Sequence, residues 1–304
     1  MREGSPDPEL YEFQRYRGRK PFAWPGGKKV AVWISPNLEY YEIDPPANPH
    51  RKSWAKPHPD VVGYAHRDHA NRVGHWRMAD VMSKYGFPGS VSLSVALCQH
   101  HPDVVADANA RGWEFFSHGI YNTRYSYGMD EAQERAIIED SIRTVREATG
   151  QTIRGWLAPA LTHTPRTLDL IAEYGMDYTC DLYHDDQPFA VKTAARNGKG
   201  GRLISMPYSL EVNDHYGFFI YNMSPREYAQ TLIRQYERLA AEESGTVMCI
   251  PLHSYLIGQP HRIGPFEEVL RHIAADSRAW ITRAGDIADA WYTLNGYDAQ
   301  EGGQ

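Results

Sequence analysis

Apolar and polar positions along the chain alternate between two periods. "KVAVWISP" (29–36) is a β-branched apolar run with the look of a buried strand. "VGHWRMADVMSKYG" (73–86) then spaces its apolar residues every three or four positions, and Gly86 supplies a helix stop. The pattern repeats as strand 89–99, helix 101–112 with Pro102 in its first turn, and strand 113–118. A long amphipathic helix is predicted over 129–150, with Asp130 as N-cap and Gly150 at its C-terminal end. Strand 154–159, helix 165–175 and strand 176–181 continue the series. The segment 204–214 leads to a helix over 224–244, a strand over 245–253 and two closing helical stretches. About seven strand–helix units follow one another with no low-complexity linker. Such alternation implies a parallel sheet in an α/β domain, and closure into a barrel places functional groups at the C-terminal ends of the strands.

Composition narrows the class. The 304 residues suffice for one large α/β domain, and 42% hydrophobic with 23% charged residues is ordinary for a soluble globular chain. A formal net charge of −6 argues against nucleic acid as a partner. No apolar run approaches the ~18 residues that would suggest a membrane span, and the polar start "MREGSPDPEL" lacks the apolar core of a signal peptide. Cys98, Cys180 and Cys249 are odd in number and far apart, which disfavours a disulfide framework and suits reduced thiols in a cytoplasmic protein. Residues 44–71, rich in Pro, Asn, Asp and Arg, read as a long surface loop. Its histidines join His75 at spacings of 8, 8, 3 and 6, which form no regular metal-ligand pattern. This polar-aromatic insertion and the 20 tyrosines point to a subunit-contact surface and a homo-oligomer.

The strand ends carry the candidate chemistry. Asn37 and Glu39 follow the first strand, His118 the third, Asp181 with Asp185 and Asp186 a later one, Asn213 and Asp214 the next, and His253 the last long strand. One carboxylate and two imidazoles on a common rim suffice for water activation and leaving-group protonation.

The order of these groups resembles the polysaccharide deacetylase (NodB-type) superfamily. Within it the chain most resembles the metal-independent allantoinases and their cyclic-imide-hydrolysing relatives. The resemblance runs nearly end to end, through "WPGGKKVAVWISPNLEYYE", "GWEFFSHG", "GWLAP", "YHDDQPF", "MPYSLEVND" and "PLHSYLIGQPHR". It implies one domain over 1–304, a distorted (β/α)7 barrel with an N-terminal arm (1–28) and the loop insertion (44–71), assembled as a homotetramer. Two departures stand out. Where the family has Asp-x-Asp, this chain has Asn37-Leu38-Glu39, and where it has His-x-x-x-His, this chain has His118 and Asn122. The implied metal shell, Glu39, His118 and Asn122, has one nitrogen fewer, so the cofactor is either none or a weakly held divalent ion such as zinc.

Catalysis is therefore expected from Glu39 (water activation), His253 (general acid) and His118 (oxyanion stabilisation with Asn122). Asn37, Asn122, Arg124, Asp185, Asp186 and Arg262 are expected to bind substrate, the arginines through their planar donor forks. The implied activity is hydrolysis of a non-peptide C–N bond, namely ring opening of a small cyclic amide, imide or ureide. The alternatives are a metal-dependent N-deacetylase of an amino sugar or polysaccharide, and a catalytically silent binding member of the fold.

Overall fold

The computed structural model describes residues 10–46, 58–193 and 202–296. Nine strands form one sheet: β1 (Val30–Leu38), β2 (Ser90–Leu93), β3 (Glu114–Ser117), β4 (Gly155–Trp156), β5 (Tyr178–Thr179), β6 (Phe189–Ala190), β7 (Ile204–Ser205), β8 (Thr246–His253) and β9 (Ala279–Ile281). Their order is β6-β7-β5-β4-β3-β2-β1-β8. All neighbours are parallel except the β6–β7 pair at one end. β8 pairs with β1 from Val30 to Asn37, so the other edge of β1 is divided: β9 takes Val30–Val32, and β2 takes Asn37 and Leu38. The seam between the two ends of the sheet is bridged where the Val247 N–H donates to the Asp186 carbonyl at 2.8 Å. This is the distorted (β/α)7 barrel of the polysaccharide deacetylase type.

Among the described residues ten α-helices cover it: α1 (Val61–His69), α2 (His75–Lys84), α3 (Leu97–His100), α4 (Pro102–Ala110), α5 (Glu131–Thr149), α6 (Thr167–Glu173), α7 (Pro225–Ala240), α8 (Ser254–Ile257), α9 (Pro260–Ala274) and α10 (Ala284–Leu294). The strand pleat sorts the core into two clusters. On β1, Val30, Val32 and Ile34 pack outward with Met78, Val269 and Leu270 of the helices. Ala31 and Trp33 point inward, where they join Phe116, Tyr178, Val247 and Cys249 in the lumen. α10 contributes Ile287, Ala288 and Trp291 to the same inner cluster.

Two expectations need correction. Residues 47–57 of the expected loop lie outside the described residues, but 61–69 are helical and run through a five-residue π-turn (Ala70–Gly74) into α2. The buried residues of α1 are Arg67 and Asp68. With no apolar stripe, hydrophobic periodicity had nothing to register. The strand expected over 89–99 also ends early, at Leu93, and Leu97–His100 form a helical turn instead.

Candidate active site

The pleat that sorts the core also aims the chemistry. Continuing the inward series of β1 from Ala31 and Trp33 by steps of two brings Asn37 and Glu39 to the inner rim. The same step carries β3 from Phe116 to His118, and β8 from Val247 and Cys249 to His253. Gly119 lets the chain turn directly after His118. Its φ is +67°, and a Cβ there would stand 2.8 Å from the Pro159 ring. The positive φ and the close approach together explain why glycine follows the histidine.

Glu39, His118 and His253 meet at one oxygen. Glu39 Oε1 lies 3.3 Å from His118 Nε2 and 3.8 Å from His253 Nε2. Both imidazoles are oriented from behind. His118 Nδ1 faces the Leu157 carbonyl at 2.8 Å, and a carbonyl only accepts, so Nδ1 carries the proton. His253 Nδ1 faces Asp214 Oδ1 at 2.7 Å, while the His253 backbone N–H donates to Asp214 Oδ2 at 2.8 Å. The second oxygen of Glu39 accepts from the Tyr41 hydroxyl at 3.1 Å, and that hydroxyl in turn accepts from the Asn122 amide.

The electrostatics follow from this packing. Burial alone would raise the Glu39 carboxyl, but His253, His118 and the Tyr41 hydroxyl outweigh it and hold the group at about 2. Burial disfavours the His253 imidazolium, yet the Glu39 and Asp214 carboxylates prevail and lift it above the ordinary histidine value. His215 goes the other way. Burial, then the charge of His253, lowers it to about 4, so it is a neutral imidazole near pH 7.

These groups open into a cavity of about 240 Å³, lined also by Asn37, Tyr125, Ala160, Leu161, Tyr208, Asn213 and Tyr216. A larger cavity of about 650 Å³ lies beneath the N-terminal arm, beyond the shared wall of Tyr208. Its lining includes neither Glu39 nor the paired imidazoles of His118 and His253.

Of the expected site residues, Asn37, Glu39, His118, Asn122 and His253 line the smaller cavity, and four do not. Asp185 takes a bidentate ion pair from Arg19 of the arm, at 2.7 and 2.6 Å. Asp186 lines the larger cavity beside it. Arg124 pairs with Glu42 at 2.7 Å and stands 4.3 Å over the Tyr121 ring. Arg262 lies 4.1 Å over Phe218, and its charge also acts on Asp214. Asp185, Arg124 and Arg262 are thus each engaged by a partner outside the cavity. Sequence reasoning missed Tyr41, which sits two residues past Glu39 and so follows the same inward step. It also missed His215, whose neighbour Asp214 was in view.

The resemblance allows either no ion or a weakly held divalent one. Asn122 offers only a neutral amide oxygen where the family has a second imidazole, and among the described residues no group of three or more His, Cys, Asp or Glu is arranged to hold a metal. No step below is routed through an ion.

Comparison with known proteins bears on this geometry. Residues 62–179 match the family model for polysaccharide deacetylase. The matched stretch contains His118 and Asn122, whereas Glu39 and His253 flank it on either side. A peptidoglycan deacetylase of Helicobacter pylori is 22% identical over 267 residues, covering 74% of this chain and 86% of that protein. Among solved structures, the Puue allantoinase superposes with a TM-score of 0.80 at 27% identity, covering 94% of this chain and 99% of that one. A Pseudomonas aeruginosa protein described as a "probable polysaccharide deacetylase" gives 0.79 at 26%, covering 95% and 98%. The family match and these structural neighbours make the chain a hydrolase of non-peptide C–N bonds. Among the described residues no helix is long and apolar enough to cross a membrane.

Proposed function

We propose that the chain opens the ring of a small, uncharged cyclic amide, imide or ureide by hydrolysis. The observation that carries this reading is one carboxylate oxygen shared by two inward-facing imidazole nitrogens at the floor of a cavity of about 240 Å³. A cavity of that volume suits a single small ring. Tyr41, Tyr125, Tyr208 and Tyr216 give the cavity an aromatic lining, and Asn213 places an amide beside them. The lining includes no Lys or Arg, which favours a substrate without a carboxylate. The allantoinase among the structural neighbours supports the same class.

In this mechanism a water bound at Glu39 Oε1 attacks the ring carbonyl, forming a C–O bond and a tetrahedral oxyanion. A carboxylate held at about 2 is a weak base alone, so the proton leaving the water settles on His118 Nε2, 3.3 Å away. The resulting imidazolium lies beside the oxyanion and stabilises it. His253, whose imidazolium the two carboxylates favour, then donates its Nε2 proton to the departing nitrogen as the C–N bond breaks. The product is the ring-opened carboxylic acid with a free amine, amide or urea nitrogen for a cyclic amide, imide or ureide respectively.

The peptidoglycan deacetylase relative favours a second reading, removal of an N-acetyl group from an amino sugar. Turnover of allantoin, hydantoin and succinimide by purified protein, measured against N-acetylated chito-oligomers, separates the two. Sugar activity alone overturns ring opening, and no turnover of any of them leaves the silent binding protein. A cytoplasmic homotetramer belongs to the ring-opening reading. It is supported by exposed apolar side chains such as Val62 and Ile220, and light scattering at four times the 34.6 kDa chain mass is the expected result.

A further inference from the structure

Three neighbouring strand ends carry a line of polar contacts that the reaction above leaves unused. His118 follows β3, the Leu157–Ala158 peptide follows β4, and Asp181 follows β5, and these strands lie side by side and parallel. His118 Nδ1–H donates to the Leu157 carbonyl at 2.8 Å. The N–H of that same peptide unit, carried by Ala158, donates to Asp181 Oδ1 at 2.8 Å. One amide thus joins an imidazole to a carboxylate. Because the amide is delocalised, a negative charge on its N–H side pushes electron density toward its oxygen, which makes the oxygen a stronger acceptor for His118.

Asp181 is buried, and both its oxygens are fixed. Oδ2 accepts from the Thr179 hydroxyl at 3.2 Å and faces His163 Nε2 at 2.6 Å. The segment it pins is under strain. Ala160 and Leu161, both in the cavity wall, hold φ values of 51° and 55°. Non-glycine residues keep that conformation only where the surroundings over-determine it. Asp181 grips the segment on both flanks, at Ala158 and at His163.

We propose that Asp181 is a positioning residue for His118, acting through the Leu157–Ala158 peptide. It keeps the proton on Nδ1 and turns Nε2 toward Glu39. Each imidazole of the site then has its own carboxylate behind it: Asp214 directly on His253, Asp181 on His118 through one amide. This rests on the reading of His118 as the group that takes the water proton, so the test begins with a measurement that needs no substrate.

Asp181→Asn keeps the shape and an oxygen for the Ala158 N–H while removing the charge, and Asp181→Ala removes both. In protein labelled with 15N-histidine, the His118 ring signals are assigned by their loss in His118→Gln. The hydrogen-bonded Nδ1–H proton should move upfield and exchange faster in Asp181→Asn, and further in Asp181→Ala if that variant folds. A His118 signal unchanged in Asp181→Asn overturns the proposal, whatever the substrate. With a substrate in hand, Asp181→Asn should lower kcat at least about tenfold at unchanged KM, and this loss should disappear in the His118→Gln background. An equal loss in both backgrounds makes Asp181 a structural residue only and overturns the proposal. An NMR shift from a wild-type protein that turns nothing over supports the relay and removes the ring-opening reading instead.

Discussion

Glu39 sits where three neighbours favour its charge, and its two oxygens have separate tasks. Tyr41 holds Oε2, which leaves Oε1 to the imidazoles and the attacking water. Glu39→Gln keeps the volume and loses the charge, so kcat should fall ~10²–10⁴-fold while the circular dichroism spectrum is retained. Turnover at the wild-type rate would mean that the site has been placed in the wrong cavity. Asn122 differs from a plain rim amide because its N–H is committed to Tyr41. Asn122→His would put a second imidazole on the Glu39–His118 side, and Zn²⁺ affinity by isothermal titration should rise at least about tenfold over wild type. An unchanged affinity would show that position 122 does not face the Glu39–His118 pair. That Glu39, His118 and His253 share one rim was legible in the sequence because each lies at the end of an apolar strand. The partners of Arg124, Asp185 and Arg262 were not, since they come from segments 82, 166 and 44 residues away.

At the scale of elements, α5 is the clearest case of local information. The Asp130 side chain accepts from the Gln133 N–H at 2.9 Å, and the Gln133 side chain accepts from the Asp130 N–H at 3.0 Å. At the other end, Gly150 takes φ 75° and returns its N–H to the Arg146 carbonyl. Asp130→Ala should therefore cost about 1 kcal/mol, read as a lower urea midpoint at unchanged slope. A midpoint equal to that of wild type would show that the cap adds nothing to what packing of Ile138 and Val145 already supplies. α1 shows the opposite. Its Asp60 cap is just as local, but its buried side chains are Arg67 and Asp68, and Arg67 reaches the site by lying 4.2 Å over the Tyr41 ring. A helix that buries charge is invisible to a search for apolar stripes.

The whole molecule feels the site through pH. Glu39 is lowered from 4.5 to about 2 on folding, so its contribution to stability is present above 4.5 and is lost as pH falls toward 2. His253 is raised above 6.5, so its contribution is complete below 6.5 and is lost as pH rises through its folded value. Together they favour the folded state most between about 4.5 and 6.5. Guanidinium midpoints measured from pH 3 to 9 should show the gap between wild type and Glu39→Gln narrowing below pH 4.5. A gap independent of pH over that range would refute the account of Glu39 as an ion held by its neighbours.

What the sequence determined by itself is whatever depends on near neighbours along the chain. The alternation of apolar runs and helical spacings decided the α/β class and the order of the units, and the caps of α5 decided its ends. The period of two along a strand decided that Asn37 and Glu39 share a face with Trp33, and His253 with Cys249. Tertiary structure alone decided how far those faces converge. Oε1 of Glu39 serves two imidazoles because β1 lies between β8 and β2, with β3 beyond, and both of its own pairings join residues more than fifty positions apart. It alone also decided which charges stay available. Arg19 claims Asp185, Glu42 claims Arg124, and Asp181 grips the peptide that aims His118, all by side-chain contacts across the fold. Apolar patterning carries no record of such pairings, because a charged side chain costs little at a surface and finds its partner only when the chain has closed around it.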